Sequence, residues 1–234
     1  MHEPDYVRFV ESLDRSVWLD PDTYADDTSW EAALLAAGAS IRAVELGGFA
    51  LVRPPGHHAL AGRGMGFCIF GNVAVAARHA QAELGLERVA IVDYDVHHGN
   101  GTEAIFRHDQ SVLFVSLHQW PFYPGTGGPG TSDEHTLNVA LRAGSGDAEY
   151  LEAFDELVEP AVRAFAPDLV LVSAGFDAHL ADPMGQMEVT ADGFREMSAR
   201  CAALAPRTAA VLEGGYNRET LPELVEAARE GFSG

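Results

Sequence analysis

Short, uninterrupted apolar runs alternate with longer amphipathic ones along most of this chain, which leaves few folds open to it. Phe49 to Val52, Val89 to Tyr94, Val112 to Leu117, Leu137 to Leu141, Leu169 to Ser173 and Ala209 to Leu212 read as strands. Most of them are continuously apolar, the pattern of strands covered on both faces. Trp30 to Ala37, Asn72 to Leu84, Ala148 to Ala164, Ala191 to Leu204 and Leu221 to Arg229 read as helices, with Gly, Pro and Asp at the joins. Strand followed by helix, repeated, predicts right-handed crossovers and an α/β fold with three layers, α/β/α, around a largely parallel sheet. At 234 residues and 47% hydrophobic, a single domain spanning 1–234 is the expectation.

In such a sheet a site lies beyond the carboxyl ends of the strands. Four of the predicted strands end in clusters that core packing does not call for: Arg53-Pro54-Pro55-Gly56-His57-His58, Asp95-Val96-His97-His98-Gly99-Asn100, Ala174-Gly175-Phe176-Asp177 and Glu213-Gly214-Gly215-Tyr216. Asp95 and His97 are two apart in an extended segment, so their side chains share one side and can hold one ion, with Asp177 closing the set. Carboxylate, imidazole, carboxylate is a donor set for a divalent ion that keeps positions open for water and substrate. Such an ion acidifies water and polarises a carbonyl, which makes hydrolysis of an amide or ester the natural reaction. The His57 and His58 pair supplies a base that titrates near neutral pH, and Tyr216 a phenol for a developing oxyanion. Asp93 is either a strand-end cap or a carboxylate that orients an imidazole. Singly, a His-His pair, an Asp-x-His or a Gly-Gly-Tyr is an ordinary loop or turn; four such clusters at strand ends by accident is not.

Composition removes several alternatives. The net charge of −20 and the single, scattered arginines argue against a nucleic-acid or anionic membrane partner. All 15 basic residues are Arg, so a P-loop lysine and a pyridoxal Schiff base are both excluded. Cys68 and Cys201 read as buried thiols, and His2, His79, His108 and His135 as surface residues. Gly125 to Gly130 matches G-x-G-x-x-G formally, but Pro124 precedes it and a strand follows, the wrong setting for a dinucleotide; no G-x-S-x-G occurs either. The N-terminus has no basic and apolar leader pattern and no run is long enough to span a membrane, so the expected location is the cytoplasm.

The motifs themselves are R-P-P-G-H-H-A from Arg53, G-F-C from Gly66, D-Y-D-V-H-H-G-N-G-T from Asp93, S-L-H from Ser116, P-G-T-G from Pro124, S-A-G-F-D-A from Ser173, D-P-M-G from Asp182 and E-G-G-Y-N from Glu213. From about Trp18 onward the chain resembles the zinc-dependent histone deacetylase superfamily, nearest its class II branch with the bacterial histone deacetylase-like amidohydrolases and acetylpolyamine amidohydrolases. The resemblance implies an arginase-like sheet, zinc on Asp95, His97 and Asp177 with ferrous iron as the alternative, His58 as general base and acid, and His57 as its electrostatic companion. It implies Tyr216 at the oxyanion, Asp93 behind the first imidazole, and Asn100 beside the second, where other members carry Asp. A structural potassium or sodium ion would rest on Asp93, Asp95, His97, Ser116 and Leu117. Phe67 and Tyr123, with Gly66 and Met184, would line the substrate channel, and Asp22 would stand at its rim. Family domains begin with a further strand and rim loop, which here are expected to be missing or replaced. Met184 stands where a polyamine-selective relative carries an acid, and His179 has no family role.

The resulting expectation is a zinc amidohydrolase acting on an acetylated or otherwise acylated amine, in a small molecule or a peptide. Acetylpolyamine hydrolysis is the nearest alternative. A binuclear manganese ureohydrolase would need more bridging carboxylates than Phe176-Asp177-Ala178-His179 offers. A non-catalytic acyl-lysine or polyamine binding module would have no use for His57, His58 and Tyr216.

Overall fold

A computed structural model describes residues 1–234. Helix α1 (Pro4–Glu11) and a hairpin of β1 (Val17–Asp20) and β2 (Thr23–Ala25) precede the main sheet. The order continues α2 (Ser29–Leu46), β3 (Phe49–Ala50), α3 (Asn72–Leu84), β4 (Val89–Asp93), α4 (Asn100–Phe106), β5 (Val112–Gln119) and β6 (Thr136–Leu141). Then come α5 (Asp147–Ala153), a π-helical turn (Phe154–Val158), α6 (Glu159–Phe165), β7 (Leu169–Ala174), α7 (Ala191–Ala202), β8 (Thr208–Leu212) and α8 (Leu221–Ser233). The main sheet has six strands in the order β3-β8-β7-β4-β5-β6, all parallel.

Alternate residues of the buried strands face opposite layers, which is why the runs are apolar throughout. Val89, Ile91, Leu169, Leu171, Ala209 and Val211 pack on α2 and α3 through Ala43, Val73, Ala77 and Ala80. Ala90, Val92, Val170, Val172 and Ala210 pack on the other side against Tyr150, Phe154, Phe194, Met197 and Leu224. The three layers are therefore real, each helix layer covering one face.

Several boundaries differ from the sequence reading. Gly38 does not stop α2, which runs on to a left-handed cap at Gly47. The predicted helix from Ala148 to Ala164 is split by the π turn just before Pro160, whose missing N–H and ring disfavour an unbroken α ladder. The predicted strand from Phe49 keeps only two residues, and α1, α4 and the β1–β2 hairpin add to the predicted elements, α4 and the two hairpin strands being too short to show a period in sequence. Gly125 to Gly130 lies in the loop between β5 and β6, with no helix following it. The chain runs from β4 outward to β5 and β6, while β7 and β8 fill the opposite side, so strand order reverses between β4 and β7. A crevice opens at such a reversal.

Candidate active site

The loops after β4 and β7 meet at this crevice. Asp95, His97 and Asp177 are buried there, and one donor atom from each lies within 4.8 Å of the others. His97 Nδ1 is 3.1 Å from Asp95 Oδ1 and 3.1 Å from Asp177 Oδ2. Backbone N–H groups hold the carboxylates in place: Gly214 donates to Asp95 Oδ2 at 2.7 Å, His97 to Asp95 Oδ1 at 2.9 Å and Val96 to Asp177 Oδ1 at 2.9 Å. Glycines let the backbone come this close, since a Cβ on Gly175 would meet Asp95 Oδ2 at 2.2 Å and one on Gly214 would meet Asp177 Oδ2 at 2.0 Å. Burial opposes charge on His97, yet the facing carboxylates of Asp177 and Asp95 hold its imidazole up to about 10. Burial, then the charge of Asp95, raises Asp177 to about 6. The cleft favours positive charge at its centre, and its donor set suits a divalent metal ion.

Two imidazoles lie beside it. His57 and His58 are buried with ring centroids 4.0 Å apart, and they differ in what backs them. His57 Nδ1 is 3.0 Å from Asp93 Oδ2, whereas His58 Nδ1 is 2.7 Å from the neutral Asn100 Oδ1. Burial would lower His57, but Asp95 and Asp93 outweigh it and hold His57 well above its ordinary value. His58 lies well below its own, first through burial and then through the positive charge of His57. Of the pair, His58 is thus held in its neutral form and His57 in its charged form.

A cavity of about 170 Å³ leads down to these rings, lined by Asp22, Gly66, Phe67, Phe122, Tyr123, Met184 and Tyr216 together with His58 and His97. Phe67 makes a T-shaped contact with Tyr216 at 5.7 Å, and Tyr123 another with His58 at 5.1 Å. Phe122, which the sequence reading passed over, stacks on His97 at 5.4 Å. Phe67 has φ of 65°, an uncommon conformation for an aromatic residue, and its N–H donates to Thr23 Oγ1 at 2.9 Å. Gly66 must be glycine here, since a Cβ would meet His58 Cδ2 at 2.4 Å. Asp22 reaches the rim because it forms the turn of the β1–β2 hairpin.

Asp182 also had no role in the sequence reading. Its Oδ2 accepts the N–H groups of Tyr216 at 2.6 Å and Asn217 at 3.0 Å, so D-P-M-G anchors the tyrosine loop. Burial is the main cause that keeps the Tyr216 phenol far above its ordinary value, so it stays protonated. Ser116 lies in register beside Asp93 and its Oγ is 3.0 Å from His118 Nδ1; Leu117 follows it in β5. His179 lies outside the Asp95–His97–Asp177 group, its Nδ1 accepting from the Ala181 N–H at 3.2 Å in a local turn. His2 is not a surface residue as expected: its Nδ1 is 3.1 Å from the Leu60 carbonyl oxygen, its Nε2 accepts from the Gly71 N–H at 2.9 Å, and its ring packs on Phe70. His79 and His135 are half-buried, and His108 is exposed. Cys68 and Cys201 are free and buried. A wider cavity of about 710 Å³, walled by Arg63, His98, Asn100 and Trp120, is reached by none of Asp95, His97 and Asp177. No helix is long and apolar enough to cross a membrane.

A family profile described as "Histone deacetylase domain" matches residues 1–232, beginning ahead of Trp18, where the recognisable motifs start. "Histone deacetylase 10, chloroplastic" of Oryza sativa subsp. japonica is 47% identical, over 91% of this chain and 53% of that protein. "Polyamine deacetylase HDAC10" of Mus musculus is 41% identical, over 96% of this chain and 38% of that protein. The chain thus spans about half or less of these relatives' lengths. Among solved structures, the crystal structure of the HDA15 HD domain superposes with a TM-score of 0.93 at 41% identity, covering 100% of this chain and 73% of that one. Its three-layer, arginase-like sheet is theirs, and the chain belongs to the histone deacetylase domain family.

Proposed function

We propose that this chain is a zinc-dependent hydrolase that removes acetyl or other acyl groups from amines such as acetyl-lysine. The observation that carries the reading is the convergence of Asp95, His97 and Asp177 with His58 and Tyr216 at the inner end of one narrow cavity. Asp95, His97 and Asp177 would hold the zinc ion, which supplies acidification of a water molecule and polarisation of the acyl carbonyl. His58 takes the proton from the attacking water and returns it to the departing amine. His57, held by Asp93, keeps positive charge beside the oxyanion that develops, and the Tyr216 phenol donates a hydrogen bond to it. Phe67, Tyr123, Gly66 and Met184 grip the apolar stem of the substrate and shed water from it, and Asp22 meets the polar group beyond the stem. Asp93, Asp95, His97, Ser116 and Leu117 are assigned to a potassium or sodium ion that steadies the loop after β4. Two free, buried thiols support a reducing compartment such as the cytoplasm.

Acetylated polyamines are the second reading, favoured by the Asp22 carboxylate at the rim of an acidic protein. A binuclear manganese centre is disfavoured, because the buried group offers two carboxylates and one imidazole and no bridging set beyond them. The test is metal content together with turnover on acetyl-lysine peptides, acetylpolyamines and longer acyl-lysines. About one zinc per chain is expected, and loss of both zinc and hydrolysis in Asp177→Asn. Full activity in that variant, or two divalent metal ions per chain, overturns the reading.

A further inference from the structure

Two charged residues of the strand-end motifs have no part in that chemistry. We propose that Arg53 and Glu213 are positioning residues, which lock the His57–His58 loop to the Tyr216 loop by each bonding the other segment's backbone; the inference rests on the hydrolase reading for its catalytic consequence. Arg53 donates from its two terminal nitrogens to the carbonyl oxygens of Glu213 and, at 2.7 Å, Gly215. Its guanidinium also lies 5.2 Å from the centre of the Tyr216 ring. In return, Glu213 Oε2 accepts the N–H groups of Gly56 at 2.6 Å and His57 at 3.1 Å.

The need for such a clasp follows from the sheet. β3 is an edge strand that pairs with β8 only at Phe49↔Ala210 and Ala50↔Val211, so no ladder reaches the loop that carries His57 and His58. Gly215, at φ of 116°, is likewise a joint that no ladder fixes, and Asp182 holds only the Tyr216 and Asn217 N–H groups beyond it. Glu213 is fully buried and its Oε1 has no partner, an arrangement that costs stability on its own account. Its value lies in placement: it fixes two backbone donors next to the catalytic imidazoles, while the planar fork of Arg53 fixes two acceptors on either side of Gly214.

The test uses the full chain with zinc, an acetyl-lysine peptide as substrate, and amide hydrogen exchange as a readout that needs no turnover. Arg53→Met and Glu213→Leu are each expected to lower kcat about 10–100-fold with KM changed no more than about twofold and zinc content kept, the signature of misplaced groups and not of lost binding. Arg53→Lys, which reaches one carbonyl, and Glu213→Gln, which keeps an acceptor, are expected to recover most of the loss. Because both act on one joint, the double variant is expected to be no worse than about twofold below the poorer single. Exchange at the Gly56 and His57 amides is expected to rise about tenfold or more in Glu213→Leu. Unchanged exchange at those amides, unchanged kcat, zinc loss in step with kcat, or fully multiplicative losses overturn the clasp. A wild-type chain inactive on every acylated amine would sink the hydrolase reading alone, since the exchange measurement still decides the clasp.

Discussion

At the floor of the cleft, Asp95, His97 and Asp177 leave two strands that stay in register over five residue pairs, from Val89↔Leu169 to Asp93↔Ser173. At its mouth, Asp22, Phe67, Tyr123 and Met184 come from a short hairpin and three separate loops. The floor inherits its precision from a hydrogen-bonded ladder and close glycine contacts; the mouth depends on single side-chain contacts such as Phe67 N–H to Thr23 Oγ1. A fold built this way can hold its chemistry constant while its mouth varies.

The contrast predicts large losses in turnover for changes at the floor and small, substrate-dependent changes at the mouth. The largest effect is expected for His58→Ala, about a thousandfold in kcat, within the range of a lost general base; a loss under tenfold would move the base elsewhere. Tyr216→Phe removes the phenol proposed as an oxyanion donor and is expected to cost about a hundredfold or more in kcat with metal content unchanged.

The pH profile sharpens the same point. His58 must be neutral to accept a proton, and burial and His57 hold it below its ordinary value, so activity is expected to persist below about pH 6.5 and fail only as His58 gains its proton. A bound divalent cation pushes in the same direction. Asn100→Asp adds a negative charge against His58 Nδ1, favours the imidazolium, and should move the acid limb up by about one pH unit. An unmoved limb in that variant would show that another group sets it.

Behind the mouth, Glu103 Oε2 lies 2.9 Å from His98 Nε2, and His98 Nδ1 lies 2.7 Å from Thr126 Oγ1 in the loop that follows Tyr123. Burial opposes its charge, but His98, Asn138 and Arg107 lower the Glu103 carboxyl to about 2. A depressed carboxyl adds stability above its unfolded value near 4.3 and loses it as pH falls toward 2, so denaturation should show a loss of about 1–2 kcal/mol across that window that Glu103→Gln lacks. The smallest effect is expected at the lip: Met184→Glu should favour acetylpolyamine over acetyl-lysine peptide by about fivefold in kcat/KM, the worth of an exposed charge pair. Equal effects on both substrates would place Met184 outside substrate selection.

How much could be read in advance follows the same division. The strands and their polar ends were legible because burial on both faces leaves unbroken apolar runs, and because Asp95, His97 and Asp177 sit within four residues of the strand ends. Phe122 was not, since an aromatic in a loop carries no period and only the fold lays it on His97. Asp182, Arg53 and Glu213 were visible as members of motifs, but their partners lie between 34 and 162 residues away in the chain. His2 looked like a surface residue and instead bonds the Leu60 carbonyl and the Gly71 N–H.

Sequence alone determined the α/β class, the strand ends that bear the site, and the donor types gathered there, because periodicity and residue chemistry are local properties. Tertiary structure alone decided the reversal of strand order between β4 and β7 and the set of loops that meet at the mouth. Those depend on which distant segments the sheet brings side by side, and the energy that selects among them comes from packing two cores against six strands at once.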